Sequence, residues 1–266
     1  MAQRKRRQNV TAASGRPKHR QDNSSQAKDD TVDPSVFYTC PWVSSQTPYL
    51  LYRLLMAGGI LYYIWCDVQY FGVGFLLWLS LASNWSVTLL AVHFTWGAAL
   101  CAAHRPVQKI QNAARKSQHS PRQQPSKLPW HLRAYRPLSI MTYTASFVTS
   151  IGYAVLLSHI YGWDLHAILT HVVNSVIVIV DILLSRVPIR LNDYVYIAGL
   201  YIAYLTSTLV YWAVGQMTGS ENIAYWFLDY TKAPGQALVV SVSLSMLTFV
   251  MHCVLVGISK ARDMFY

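Results

Sequence analysis

The sequence predicts an all-α polytopic membrane protein, a bundle of six transmembrane helices. Three observations predict it: the overall composition, the number and length of the apolar runs, and the places where Lys and Arg fall. Hydrophobic residues make up 53% of the 266 and charged residues 12%, whereas a soluble domain carries about 25% charge; mean hydropathy is +0.24. Apolar runs lie near 49–66, 73–100, 138–158, 165–185, 194–214 and 237–258, close to the ~20 residues that cross a hydrocarbon core of about 30 Å. A membrane barrel would need alternating strands of roughly 10 residues, and the sequence has none. The formal charge of +11 would suggest nucleic acid if it covered a folded soluble face. It sits in tails and loops instead, so no nucleic-acid partner is expected.

Basic loop residues are retained on the cytoplasmic side of a membrane. With both termini cytosolic, the cluster RKRR, the loop 101–137, the RVPIR turn and the KAR segment all fall inside, and Lys232 falls outside. The chain then divides into a disordered basic cytosolic tail at 1–36, a six-helix domain at 37–260 and a short cytosolic tail at 261–266. The first tail is too poor in large apolar residues to offset its chain entropy. It also lacks the apolar core of a cleavable signal, which leaves insertion to the first helix. The loop carries eight basic residues, from Arg105 to Arg136, and no acidic ones. Such cations gain about 1 kcal/mol each from anionic headgroups, so membrane lipids are the expected partners there, with membrane proteins as a further class. Phosphorylation of Ser117 or Ser120 would weaken that attraction.

Cys40, Cys66, Cys101 and Cys253 show no paired spacing, so no disulfide framework is expected. Cys40 and Cys101 lie near the cytoplasmic boundary, where palmitoylation is an option. Glycosylation matches at Asn9, Asn23 and Asn84 fall in the tail or in a helix, away from any lumenal loop. The histidines at 93, 166, 171 and 252 form no His-x-x-x-His pair, so neither a metal nor another cofactor is expected. The outer loop YWFLDYTKAPG fits an interfacial aromatic belt, with contact to a second membrane as the alternative.

The chemistry concentrates in the fourth run, ILTHVVNSVIVIVDILL. At 100° per residue, His171, Asn174 and Asp181 share one stripe and face the same neighbours. Ionisable residues at that depth face the bundle interior and mark a functional site by default; interhelical hydrogen bonding of about 0.6 kcal/mol per contact is the alternative for His171 and Asn174. Asp181 must be paired or protonated. His93, His252 and Arg186 are its candidate partners, which leaves an ion- or proton-handling role open.

DPSVFYTCPW, SNW, the block HVVNSVIVIVDILLSRVPIRLNDYVY, YWAVG and YWFLDYTKAPGQAL resemble the rolling stone family of animal membrane proteins. The resemblance spans residues 33 to about 240. Its founding member is an insect protein linked to myoblast fusion, so it implies a multipass plasma-membrane protein acting in muscle formation. More distantly, the pattern is similar to the androgen-induced family of intramembrane hydrolases of fatty-acid esters, which use a Thr nucleophile and a His. That comparison places the nucleophile on Ser83 and the base on His171, with Asn84 or Asn174 as oxyanion donors. At 1.5 Å per residue the two would lie about 15 Å and 9 Å deep. A direct nucleophile–base contact requires about 3 Å.

Overall fold

The structure is a computed structural model that describes residues 32–72, 74–116 and 128–265. The expected tail, Ser117 and Ser120, and the middle of the basic loop therefore lie outside the described residues. Six long helices follow: α1 (Thr47–Phe71), α2 (Ala82–Lys116), α3 (Trp130–Leu156), α4 (Leu165–Leu184), α5 (Tyr194–Thr218) and α6 (Pro234–Asp263). Each contains a stretch long and apolar enough to cross a membrane. Their outward faces carry Leu51, Leu54, Trp65, Val176, Ile202 and Met246, all exposed, as expected for helices whose solvent is hydrocarbon.

The helix ends follow local chemistry. Pro48 and Pro234 occupy the first turns of α1 and α6, where a missing N–H costs nothing. Gly72 (φ 61°) and Gly219 (φ 72°) close α1 and α5 in the left-handed conformation, which suits a residue without Cβ. The second run is shorter at its start than the sequence suggests. Residues 74–81 form a bend and a single helical turn, Phe75–Trp78, before α2 begins at Ala82. The other end is longer, since α2 continues to Lys116.

Helix α3 is the hub of the bundle and packs against α2, α4, α5 and α6, while α1 packs along α2. At the end where α6 finishes, the segment before α1 folds back into the bundle. Asp33 caps the turn Pro34–Phe37 by accepting from Ser35 N at 2.9 Å, and Phe37, Tyr38 and Cys40 are buried with Leu132, Tyr135 and Cys101. Trp42 Nε1 donates to Leu183 O at 2.8 Å. Palmitoylation at Cys40 or Cys101 would require extracting a buried thiol, and burial also pushes the Cys40 thiol pKa up, away from the reactive thiolate.

Two arginines assigned to loop and tail belong to the bundle. Arg136 pairs with Asp193 at 2.7 Å, tying the start of α3 to the turn before α5. Arg262 is buried and donates to Ile182 O at 3.1 Å and Ser185 O at 2.8 Å. It thereby satisfies carbonyls that the end of α4 leaves open. The expected tail from 261 is thus helical through Asp263.

At the opposite end the loop after α5 folds onto the bundle, with Phe227 and Leu228 buried beside Leu156 and Leu157. Trp226 stays exposed. Asp229 Oδ1 accepts from Thr231 N and Lys232 N, an Asx-type turn. Gly215 is required here, because a Cβ would lie 2.7 Å from Ser220 O and 2.9 Å from Asn222 N.

Candidate functional site

Asp181 is fully buried on α4, and three other helices supply its partners. Arg53 Nη2 on α1 lies 3.1 Å from Oδ1. His93 Nε2 on α2 lies 2.9 Å from Oδ2, and Tyr143 OH on α3 donates to the same oxygen at 2.6 Å. The guanidinium also donates to Tyr135 OH at 2.9 Å and to Tyr49 OH at 2.5 Å, and it packs over the rings of Tyr49 and Phe94. Arg53, His93, Tyr135 and Tyr143 are all essentially inaccessible.

Proton placement follows from donor counting. His93 Nε2 touches both Asp181 Oδ2 and Arg53 Nη1, the latter at 3.0 Å. A carboxylate only accepts and a guanidinium only donates. A proton on Nε2 satisfies the carboxylate, while Arg53 Nη1 uses Tyr135. Nδ1 is then a bare lone pair that meets no donor among the described residues. Gly97 makes the packing feasible, since a Cβ there would lie 2.7 Å from Arg53 Nη1 and 2.6 Å from Tyr135 OH.

Of the expected partners of Asp181, His93 is present. His252 bonds the Arg190 carbonyl at 3.0 Å instead. Arg53 was missed, although a lone cation within TPYLLYRLLMAGGIL is the signal that intramembrane charge provides.

The stripe expected for His171, Asn174 and Asp181 is present, all three being buried on α4 together with Val178, and it meets different partners at three levels. A π-helical turn, Ile168–Val173, near the start of α4 carries His171; such turns are frequent at functional sites. Asn174 bridges Ser86 and Ser146, donating to one hydroxyl and accepting from the other at 3.0 Å each. Asn84 donates to Trp78 O at 2.7 Å. Both amides expected as oxyanion donors are therefore engaged elsewhere.

His171 is buried and stacks on Tyr153 with ring centroids 4.0 Å apart. Its carbonyl accepts from Ser150 Oγ. Among the described residues its Nδ1 has no partner in hydrogen-bond geometry, although the Thr149 backbone is close. Ser83 lies beside Tyr225, whose hydroxyl accepts from Ala82 N at 3.1 Å and whose pKa burial pushes up. Ser83 and His171 line one apolar cavity of about 110 Å³, walled by α3, α5 and α6. No hydrogen bond joins the two side chains among the described residues. No cluster of three or more His, Cys, Asp or Glu side chains suited to a metal occurs among the described residues.

Six apolar helices, four of them joined at a buried Arg–Asp–His–Tyr cluster beside an apolar cavity, define a polytopic α-helical membrane protein. The chain belongs to the rolling stone family. The family model described as Protein rolling stone matches residues 27–266. The chain is also similar to Protein rolling stone of Drosophila melanogaster, 27% identical over 240 residues that cover 86% of this chain and 84% of that protein. No solved structure matches the chain.

Replacing Gly97 by Ala pushes a methyl group into the guanidinium and the Tyr135 hydroxyl. It should cost about 1–3 kcal/mol, the usual range for overpacking, seen as a lower unfolding midpoint in detergent. Gly59→Ala, with nothing within 4 Å of the added carbon, should change stability by less than about 0.5 kcal/mol. Equal midpoints for the two variants would contradict the packing described around Arg53.

Proposed function

We propose that the protein acts at the plasma membrane of muscle-forming cells, in the fusion of myoblasts, with both termini in the cytosol. Family membership carries this reading, because the match runs through all six spans. The placement of Lys and Arg supports the orientation. The basic residues of the 101–137 segment other than Arg136, which pairs with Asp193, would lie against anionic headgroups. Depleting the protein from myoblasts should lower the number of nuclei per fibre. In the same cells, epitope tags at both ends should stain only after permeabilisation. Unchanged multinucleation would remove the fusion role, and a tag stained on intact cells would remove the orientation.

One observation favours a second reading, hydrolysis of lipid esters: Ser83 and His171 line the same cavity. Attack by Ser83 Oγ on an ester carbonyl would need the imidazole to leave its stack on Tyr153 and approach to about 3 Å. An active-site serine probe applied to the purified protein in lipid should then label wild type and fail on Ser83→Ala. His171→Ala should lose nearly as much labelling, since a nucleophile and its base act as a unit. Equal labelling of wild type and Ser83→Ala would remove this reading.

A further inference from the structure

A second cavity, of about 230 Å³, lies between the last turn of α5 and the loop that leads into α6. Its walls are polar where those beside Ser83 are apolar: Gln216, Ser220, Glu221, Asp229, Thr231 and Lys232 line it. The three charged side chains are held differently. Asp229 is buried, and its Oδ1 accepts from Thr231 N at 2.9 Å and from Lys232 N at 2.8 Å, which fixes the carboxylate in place. Its Oδ2 makes no hydrogen bond among the described residues, yet it is not sealed off from solvent. An unpaired oxygen on a buried carboxylate is costly, and this one is within reach of whatever enters the cavity.

Glu221 and Lys232 pair with each other at 2.8 Å, with side chains 75% and 64% exposed. So exposed a pair contributes little to stability, and either partner is readily exchanged for another. Because the Lys232 backbone bonds Asp229, its ammonium is tethered beside the buried carboxylate. The lining therefore presents one fixed anionic acceptor with an exchangeable cation next to it.

A matching ligand carries a cation for Asp229 and an anion for Lys232. Quaternary ammonium groups are recognised by aromatic rings, and no aromatic ring lines this cavity among the described residues. A primary ammonium donates three hydrogen bonds, for which Asp229 Oδ2, the Gln216 carbonyl oxygen and the Ser220 hydroxyl are the acceptors at hand. A phosphate beside Lys232 completes the match by a charge-assisted contact. The space is below the roughly 300–1,000 Å³ of drug-sized sites, which suits a headgroup and excludes a whole lipid. Outside it, Val210, Val214 and Met217 form an exposed apolar stripe along α5 that runs up to the turn carrying Gln216, where acyl chains can lie.

We propose that this cavity binds a phosphoethanolamine group, its ammonium on Asp229 Oδ2 and its phosphate on Lys232 in place of Glu221. The site is separate from Ser83 and His171 and requires no turnover.

The test uses the full chain in mild detergent, titrated with dioleoyl phosphatidylethanolamine or its phosphatidylcholine counterpart, with bound lipid counted by native mass spectrometry. The ethanolamine lipid should be retained roughly tenfold better, the worth of one charge-assisted hydrogen bond. Asp229→Asn keeps an oxygen that can accept from Thr231 N and Lys232 N but removes the charge, and should abolish that preference. Lys232→Met, at an exposed position, should weaken retention of the ethanolamine lipid about threefold or more, and it decides the matter if Asp229→Asn lowers the unfolding midpoint. Lys260→Met, which removes a cation near the far end of α6, should change nothing. Soluble phosphoethanolamine separates the two sources of the group: displacement of the lipid means that the headgroup alone suffices, and persistence of the adduct means that the chains along α5 contribute. Equal retention of the two lipids, an unchanged preference in a folded Asp229→Asn, or unchanged retention in Lys232→Met would each overturn the proposal.

Discussion

A carboxylate placed in hydrocarbon must be compensated, and the arrangement of helices α1 to α4 depends on how Asp181 is compensated. Its oxygens face a guanidinium from α1, an imidazole from α2 and a phenol from α3. Four helices thus meet at one side chain. Truncating one partner of such a buried pair leaves an uncompensated charge, at about 3–5 kcal/mol. The aromatic rings do not merely fill space: Tyr49 and Tyr135 take donors that the guanidinium cannot otherwise place. Gly97 leaves the room in which that guanidinium lies flat.

Between this cluster and the opposite end of the bundle the helices are joined by neutral contacts. Ser86, Ser146 and Asn174 join α2, α3 and α4, and Ser150 meets Ser175 at 2.7 Å. At that end His166 contacts Asp67 at 2.7 Å, and Asp67 accepts from Trp78 Nε1, also at 2.7 Å. Helices α5 and α6 show no equivalent clasp near their middles among the described residues and are held by bonds such as Tyr201 OH to Ser241 O at 2.6 Å. The cavity lies on this looser side, against α3. Rigidity and accessible space are therefore separated within one bundle.

The six spans and the burial of Asp181 were legible in the sequence because hydrocarbon imposes a length and an avoidance of charge that composition records directly. His93 as a partner was legible for the same reason. Arg53 was legible in principle, as a lone cation in an apolar run, but its role depends on which helices become neighbours, and periodicity does not contain that information. The shared stripe of His171, Asn174 and Asp181 was legible too, since all three are buried on one side of α4, but, His93 apart, the partner of each was not, because it depends on which residues of α2 and α3 lie at each level. The bend at 74–81 was hidden inside a continuous apolar run, since a short turn folded back at the membrane boundary is as apolar as the helix it precedes. Arg136 and Arg262 read as loop and tail cations, yet each meets acceptors set by tertiary structure.

The direct test of the Arg53–Asp181 clasp is a double-mutant cycle on unfolding free energy in mixed detergent, with Arg53→Met, Asp181→Leu and the pair. Each single change should cost about 3–5 kcal/mol, because it strands the opposite charge. The double variant should lose far less than their sum, since two apolar groups of similar size leave nothing unpaired. Additivity within about 0.5 kcal/mol would mean that the two side chains do not depend on one another, and would contradict the account.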